Sequence, residues 1–181
     1  ENGTCSESLG MSFVTGVKNW EAEWIGTGKA LPYYARKTFN VDRDLVGAYA
    51  YVCGLGQFKL FINGEKVGDH ELDPGWTDYN DSVQYVTFDI KNLLNDGANA
   101  VGISVGNGWY SPQKVNHFYF NNTAFSDHLT LICRIVLEYA DGKRQVVSSS
   151  GDWRVRDSAT TVANVYGSEY YDARLYPEGW A

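Results

Sequence analysis

"QFKLFINGEKVGD", residues 57–69, sets two short runs of alternating apolar and polar residues on either side of Asn63-Gly64. An Asn-Gly pair in that setting is the strongest short-range hairpin signal, because a two-residue type I′ turn needs positive φ at both central positions and these residues tolerate it. The stretch predicts two antiparallel strands joined at Asn63-Gly64. Upstream, "ARKTFNV" (35–41) sets Ala35, Lys37, Phe39 and Val41 against Arg36, Thr38 and Asn40, the period-two pattern of a half-buried strand. "VGAYAYVCGLG" (46–56) is more continuously apolar and reads as a buried strand. Downstream, "VQYVTFDI" (83–90) and the run through Val101, Ile103 and Val105 continue the pattern, with a single helical turn expected at Leu93-Leu94 before Asn95-Asp96-Gly97. "HLTLICRIVLEYADGKRQVVSSSGDWRV" (128–155) predicts two strands joined at Asp141-Gly142, and "VANVYGSEYYDARL" (162–175) a final extended segment.

Composition agrees with an all-β reading. Aromatic residues make up 15% of the 181, and 19 glycines punctuate short apolar runs, with turns recurring at sandwich-like spacing. A chain of this length buries roughly 70% of its unfolded surface, enough for one core. The 22 acidic and 15 basic side chains leave a net charge of −7, which supplies no basic field for nucleic acid. No apolar run reaches the roughly 20 residues of a membrane span. Three cysteines, Cys5, Cys53 and Cys133, match no zinc spacing, and Cys53 and Cys133, inside apolar strands, read as buried free thiols. Asn2, Asn80 and Asn121 head glycosylation sequons. The sequence starts at Glu1 without Met and reads as a processed or excised segment, divided into an N-terminal extension (1–19) and a β-sandwich domain (20–181). None of these features implies a cellular compartment.

Four stretches taken in order, "WEAEWIG" (20–26), "LFINGEKVGDHELDPGWTDYNDSVQYVTFDI" (60–90), "VGNGWY" (105–110), and "LEYADGK" (137–143) with "VYGSEYYDARL" (165–175), resemble the N-terminal β-sandwich domain of bacterial α-L-rhamnosidases. The resemblance implies a jelly-roll β-sandwich similar to galactose-binding-like modules. It also implies a separate catalytic (α/α)6 barrel in the same polypeptide, whose helical periodicity is absent from these 181 residues. No catalytic residue is therefore assigned to this chain, and its partners are expected to be that barrel and rhamnose-containing oligosaccharide. Some sandwich modules of this kind hold L-rhamnose through calcium. The corresponding loop, "CGLGQ" (53–57), has no carboxylate, which argues against a hard cation needing six to eight oxygen ligands, so no cofactor is expected. Asn107 stands where the family's Gly-Trp-Tyr motif often has an acidic residue before its glycine.

Two constellations are candidates for carbohydrate binding. In "LDPGWTDYND" (72–81), Trp76 or Tyr79 could stack on a sugar face while Asp73, Asp78 or Asp81 accepts hydroxyl hydrogen bonds. The same residues equally make a Pro-Gly turn whose aspartates bond backbone N–H groups and whose tryptophan covers the sandwich end or docks on the barrel. Asn107, Trp109 and Tyr110, entering the irregular segment 106–128, are the second set, with a bulge and a capping tryptophan as the structural reading. His117 and His128 lack a third metal ligand. Asp172 and Arg174, two apart, share a strand face and predict an ion pair.

Overall fold

The predicted turn forms. Asn63 and Gly64 have φ of 52° and 85° and join β3 (Gln57–Ile62) to β4 (Glu65–Lys66). A computed structural model describes residues 13–112, 125, 128–165 and 168–179. Asn63 does more than permit the turn. Its side-chain nitrogen donates to Asn99 Oδ1 at 2.8 Å and to the Leu93 carbonyl at 3.0 Å, and its Oδ1 accepts from the Ala100 amide at 2.9 Å. Asn99, itself buried, donates to the carbonyls of Asn95 and Gly97. This amide pair ties the hairpin to the neighbouring strand.

The remaining strands are β1 (Tyr33–Val41), β2 (Leu45–Leu55), β5 (Val86–Asp89), β6 (Gly97–Gly106), β7 (Thr130–Tyr139), β8 (Arg144–Ser148), β9 (Arg154–Asp157), β10 (Thr160–Asn164) and β11 (Ser168–Tyr171). They make a five-stranded sheet ordered β4-β3-β6-β1-β9, a four-stranded sheet ordered β5-β2-β7-β8, and the hairpin β10-β11, with antiparallel pairing throughout. The architecture is an all-β sandwich. Alternation along β1, β3 and β6 turns Tyr33, Ala35, Phe58, Leu60, Ile62, Val101, Ile103 and Val105 inward, against Ala48, Ala50, Val52, Leu131, Cys133, Ile135 and Leu137 of the other sheet. Cys53 and Cys133 are buried free thiols, both raised to about 12 by burial.

The helical turn falls slightly earlier than expected. It is a 3₁₀ turn over Lys91–Leu93, begun where Asp89 Oδ1 accepts from the Lys91 amide, and Leu94 is already extended. The Asp172–Arg174 ion pair forms at 2.6 Å, but not on a strand face. β11 stops at Tyr171, and Asp172 caps a second 3₁₀ turn, Ala173–Leu175, by accepting from the Arg174 amide.

Continuous burial of β2 has an identifiable source. Its outward side chains Tyr51 and Cys53, with Ile132 of β7, are 2–6% exposed, and Tyr51 is covered by segments from both sides of β2 in sequence. Trp20 packs edge-on against Tyr85, which tilts against Tyr51. Arg134 of β7 reaches the Asn19 carbonyl and Glu21, and Ile25 exchanges both backbone hydrogen bonds with Leu131.

Candidate functional site

Loops from both sheets meet at one pole of the sandwich. The first, 70–85, is fastened where the Phe58 amide of β3 donates to the Asp73 carbonyl at 2.7 Å and where Pro74 is buried. His70 Nδ1 lies 3.1 Å from Asp73 Oδ2, and Thr77 Oγ1 donates to the Ser82 carbonyl. Asp78 closes a tight turn. Its Oδ1 accepts from the Asn80 amide at 3.0 Å and from Asn80 Nδ2 at 3.1 Å, while its carbonyl accepts from the amides of Asp81 and Ser82. Such an Asx turn is the backbone-directed use of a short carboxylate.

The second loop starts at the end of β6. Asn107 has no exposed surface, and its Nδ2 donates to the carbonyls of Ala30 at 2.8 Å and Ser111 at 3.0 Å. Its Oδ1 is buried without a hydrogen-bond partner among the described residues. Gly108 follows with φ of 52°, and a Cβ there would lie 2.7 Å from Gln57 Cγ. Its amide donates to the Ala163 carbonyl, which fastens the loop to the C-terminal hairpin.

Three rings join the two loops. Tyr79 sets its ring against Tyr110 (centroids 5.2 Å apart, 81° between planes) and Phe125 (5.0 Å, 71°). Tyr110 and Phe125 stack at 6.4 Å, and the Phe125 amide donates to the Tyr110 carbonyl. Burial raises the Tyr79 phenol above its ordinary value, and the Cys53 thiol and Tyr110 phenol push the same way. It stays protonated at neutral pH.

Of the six predicted residues, Tyr79 and Tyr110 are thus in contact, and Phe125 is a partner that the sequence reading did not single out. Trp76 is 65% exposed and makes no ring contact among the described residues. Asp78 is exposed with one carboxylate oxygen committed to the turn. Trp109 is half-buried. Asn107 has no exposed surface, and backbone carbonyls take its donors inside the protein. His117 lies outside the described residues. In the 53–57 connection Gly56, at φ of 123°, presses so closely on the Gly106 carbonyl that a Cβ would lie 2.2 Å from its oxygen.

The fold is an antiparallel all-β sandwich with an aromatic cluster at one pole. Residues 43–181 match the family model described as the alpha-L-rhamnosidase N-terminal domain, and the chain belongs to that family. It is 36% identical over 153 residues to an alpha-L-rhamnosidase of Formosa agariphila, covering 81% of this chain and 16% of the relative. The solved alpha-L-rhamnosidase from Dictyoglumus thermophilum superposes with a TM-score of 0.79 at 31% identity, over 90% of this chain and 20% of that one. The Streptomyces avermitilis alpha-L-rhamnosidase, solved complexed with L-rhamnose, does so with a TM-score of 0.74 at 33% identity, over 83% and 14%. The chain thus spans about a sixth of the length of the curated relatives it matches. β1, which lies between β6 and β9, precedes the first matched residue.

Proposed function

We propose that this chain is the non-catalytic accessory domain of an alpha-L-rhamnosidase, supporting a catalytic barrel elsewhere in the polypeptide and contributing a contact for rhamnose-containing glycans at the 72–81 loop. The observation that carries the reading is the division of that loop. Tyr79 is held by Tyr110 and Phe125, and this fixed ring anchors a turn that leaves Trp76 65% exposed beside Asp78. An exposed indole supplies apolar contact for a sugar face, and a neighbouring carboxylate supplies direction. The aspartates of the loop serve backbone turns and His70, which is an architectural use and fits a domain without its own hydrolytic pair.

A purely structural reading is favoured by a different observation. The second predicted constellation is turned inward, with Asn107 buried on backbone carbonyls and Tyr110 packed on Tyr79. An NMR titration with L-rhamnose and a panel of other sugars to ~10 mM, where a bound complex is worth only about 3 kcal/mol, separates the two. Saturable shifts at the Trp76 indole and Asp78 amide support the sugar contact. No shift with any sugar, with or without calcium, leaves the scaffold role alone.

A further inference from the structure

The two outward faces of the sandwich are finished differently. The four-stranded sheet carries the chain's own residues on its outward face, with Tyr85 on Tyr51, Trp20 on Tyr85, and Arg134 reaching Asn19 and Glu21. The five-stranded sheet has a groove of about 280 Å³ running along its central strand β6. Its floor is the outward row Ala100, Gly102 and Ser104, and its walls are Tyr34 and Arg36 of β1 and Lys59 and Phe61 of β3. Register sets these side by side, Tyr34 and Lys59 flanking Ser104, and Arg36 and Phe61 flanking Gly102.

Gly102 is not explained by this domain. It is not among the glycines with positive φ, and a Cβ would meet nothing nearer than Phe61 Cβ at 3.8 Å. Neither conformation nor crowding within the fold requires a glycine, although glycine weakens a strand interior and commonly marks close approach by another backbone or a ligand. The C-terminal segment already lies on this face. Tyr176 lines the groove, and the Gly179 carbonyl accepts from Arg36 at 3.4 Å. Just before it, Tyr170, Tyr171 and Leu175 are 46–55% exposed.

We infer that the outward face of the five-stranded sheet, centred on Gly102, is the seat of the catalytic domain of the same polypeptide. The inference rests on the accessory-domain reading and names the face that reading uses. The occupant follows from three observations. The family is an N-terminal domain, the chain covers only 14–20% of the solved rhamnosidases it superposes on, and residues 176–179 bring the chain across this groove. Gly179 itself sits at the groove's edge, on Arg36. The docked surface is apolar at its centre, to meet Phe61, Tyr34 and Tyr176.

The test compares the complete rhamnosidase polypeptide with the 181-residue chain by covalent footprinting. Acetylation of Lys59 and radical labelling of Tyr34 and Tyr176 are expected to slow at least tenfold in the complete polypeptide, with Trp76 labelled equally in both. Equal labelling of Lys59, Tyr34 and Tyr176 overturns the inference. Gly102→Thr gives a second readout. It is expected to keep or raise the melting temperature of the 181-residue chain, and to split the unfolding of the complete polypeptide into two transitions. Single-transition unfolding of the substituted complete polypeptide at the unsubstituted temperature also overturns it. Removing residues 1–181 tests the underlying reading separately. Full activity and stability without them would sink the accessory role, whereas their loss together with equal labelling would sink only the choice of face.

Discussion

Asn107→Asp replaces a buried donor by an acceptor of the same shape, which makes it a sharp test of what that side chain does. The wild-type Nδ2 supplies hydrogen bonds to two carbonyls, of Ala30 at 2.8 Å and Ser111 at 3.0 Å, in a residue with no exposed surface. The amide orientation is fixed by chemistry, since the reverse would point Oδ1 at two carbonyl oxygens. An aspartate there loses both hydrogen bonds, each at about 1–3 kcal/mol, and buries a carboxylate. The expected loss is about 4 kcal/mol at pH 7. Asn107→Ala is expected to lose about 2 kcal/mol, because it also removes an Oδ1 that has no partner among the described residues. The carboxyl introduced in the folded protein would have its pKa raised above the unfolded value of about 3.9. Its penalty is therefore absent below that value and grows by about 1.4 kcal/mol per pH unit above it, until the folded-state pKa is passed. Urea unfolding of both variants and wild type at pH 7 and pH 4.5 checks this. An Asn107→Asp protein within about 1 kcal/mol of wild type at pH 7 would refute the donor role assigned to the amide.

Gly56→Ala, with its Cβ 2.2 Å from the Gly106 oxygen, is expected to cost at least about 3 kcal/mol by calorimetry; Gly142→Ala, also positive in φ at 84° but with open space around it, about 1 kcal/mol. The Glu71 carboxyl is held below its ordinary range by Lys66 and Lys59, so its small contribution is present at neutral pH and lost as pH falls through that lowered value. Melting curves from pH 6 to 3 should therefore show a gentler acid decline for Glu71→Gln than for wild type. Cys53 and Cys133, buried and raised to about 12, are expected to react with a thiol reagent at pH 8 only at the rate of unfolding. A fast phase for either thiol in the folded protein would contradict their burial.

Most of the fold was legible because its signals are local. The Asn63-Gly64 turn, the alternation of β1 and the turn at Asp141-Gly142 each depend on a few neighbouring residues. Continuous burial of β2 was legible as an outcome but not in its cause, since the cover comes from Trp20 and Tyr85, 31 and 34 residues away in either direction from Tyr51. The Asp172–Arg174 pair was expected for a strand and occurs at a 3₁₀ turn, because capping competes with strand geometry over so short a spacing. Within the candidate site, motif reading picked out Tyr79 and Tyr110 but could not orient Asn107. The acceptors that claim its amide, Ala30 and Ser111, are carbonyls, which leave no mark in side-chain chemistry.

The two aromatic residues of "LDPGWTDYND" have separable work, and a paired substitution shows it. Tyr79 makes edge contacts with two rings at 5.0 and 5.2 Å, each worth about 0.5–1.5 kcal/mol beyond area burial. Tyr79→Ala is therefore expected to destabilise the domain by about 2–3 kcal/mol. Trp76, 65% exposed and without a ring partner among the described residues, is expected to change stability by less than about 0.5 kcal/mol when replaced by Ala. Sugar-induced shifts, if the proposed contact holds, vanish in Trp76→Ala while the fold persists. Chemical unfolding and the same sugar titration applied to both variants decide the matter. A Trp76→Ala loss as large as that of Tyr79→Ala would mean the indole is a structural plug, and the carbohydrate reading of the loop would lose its one exposed ring.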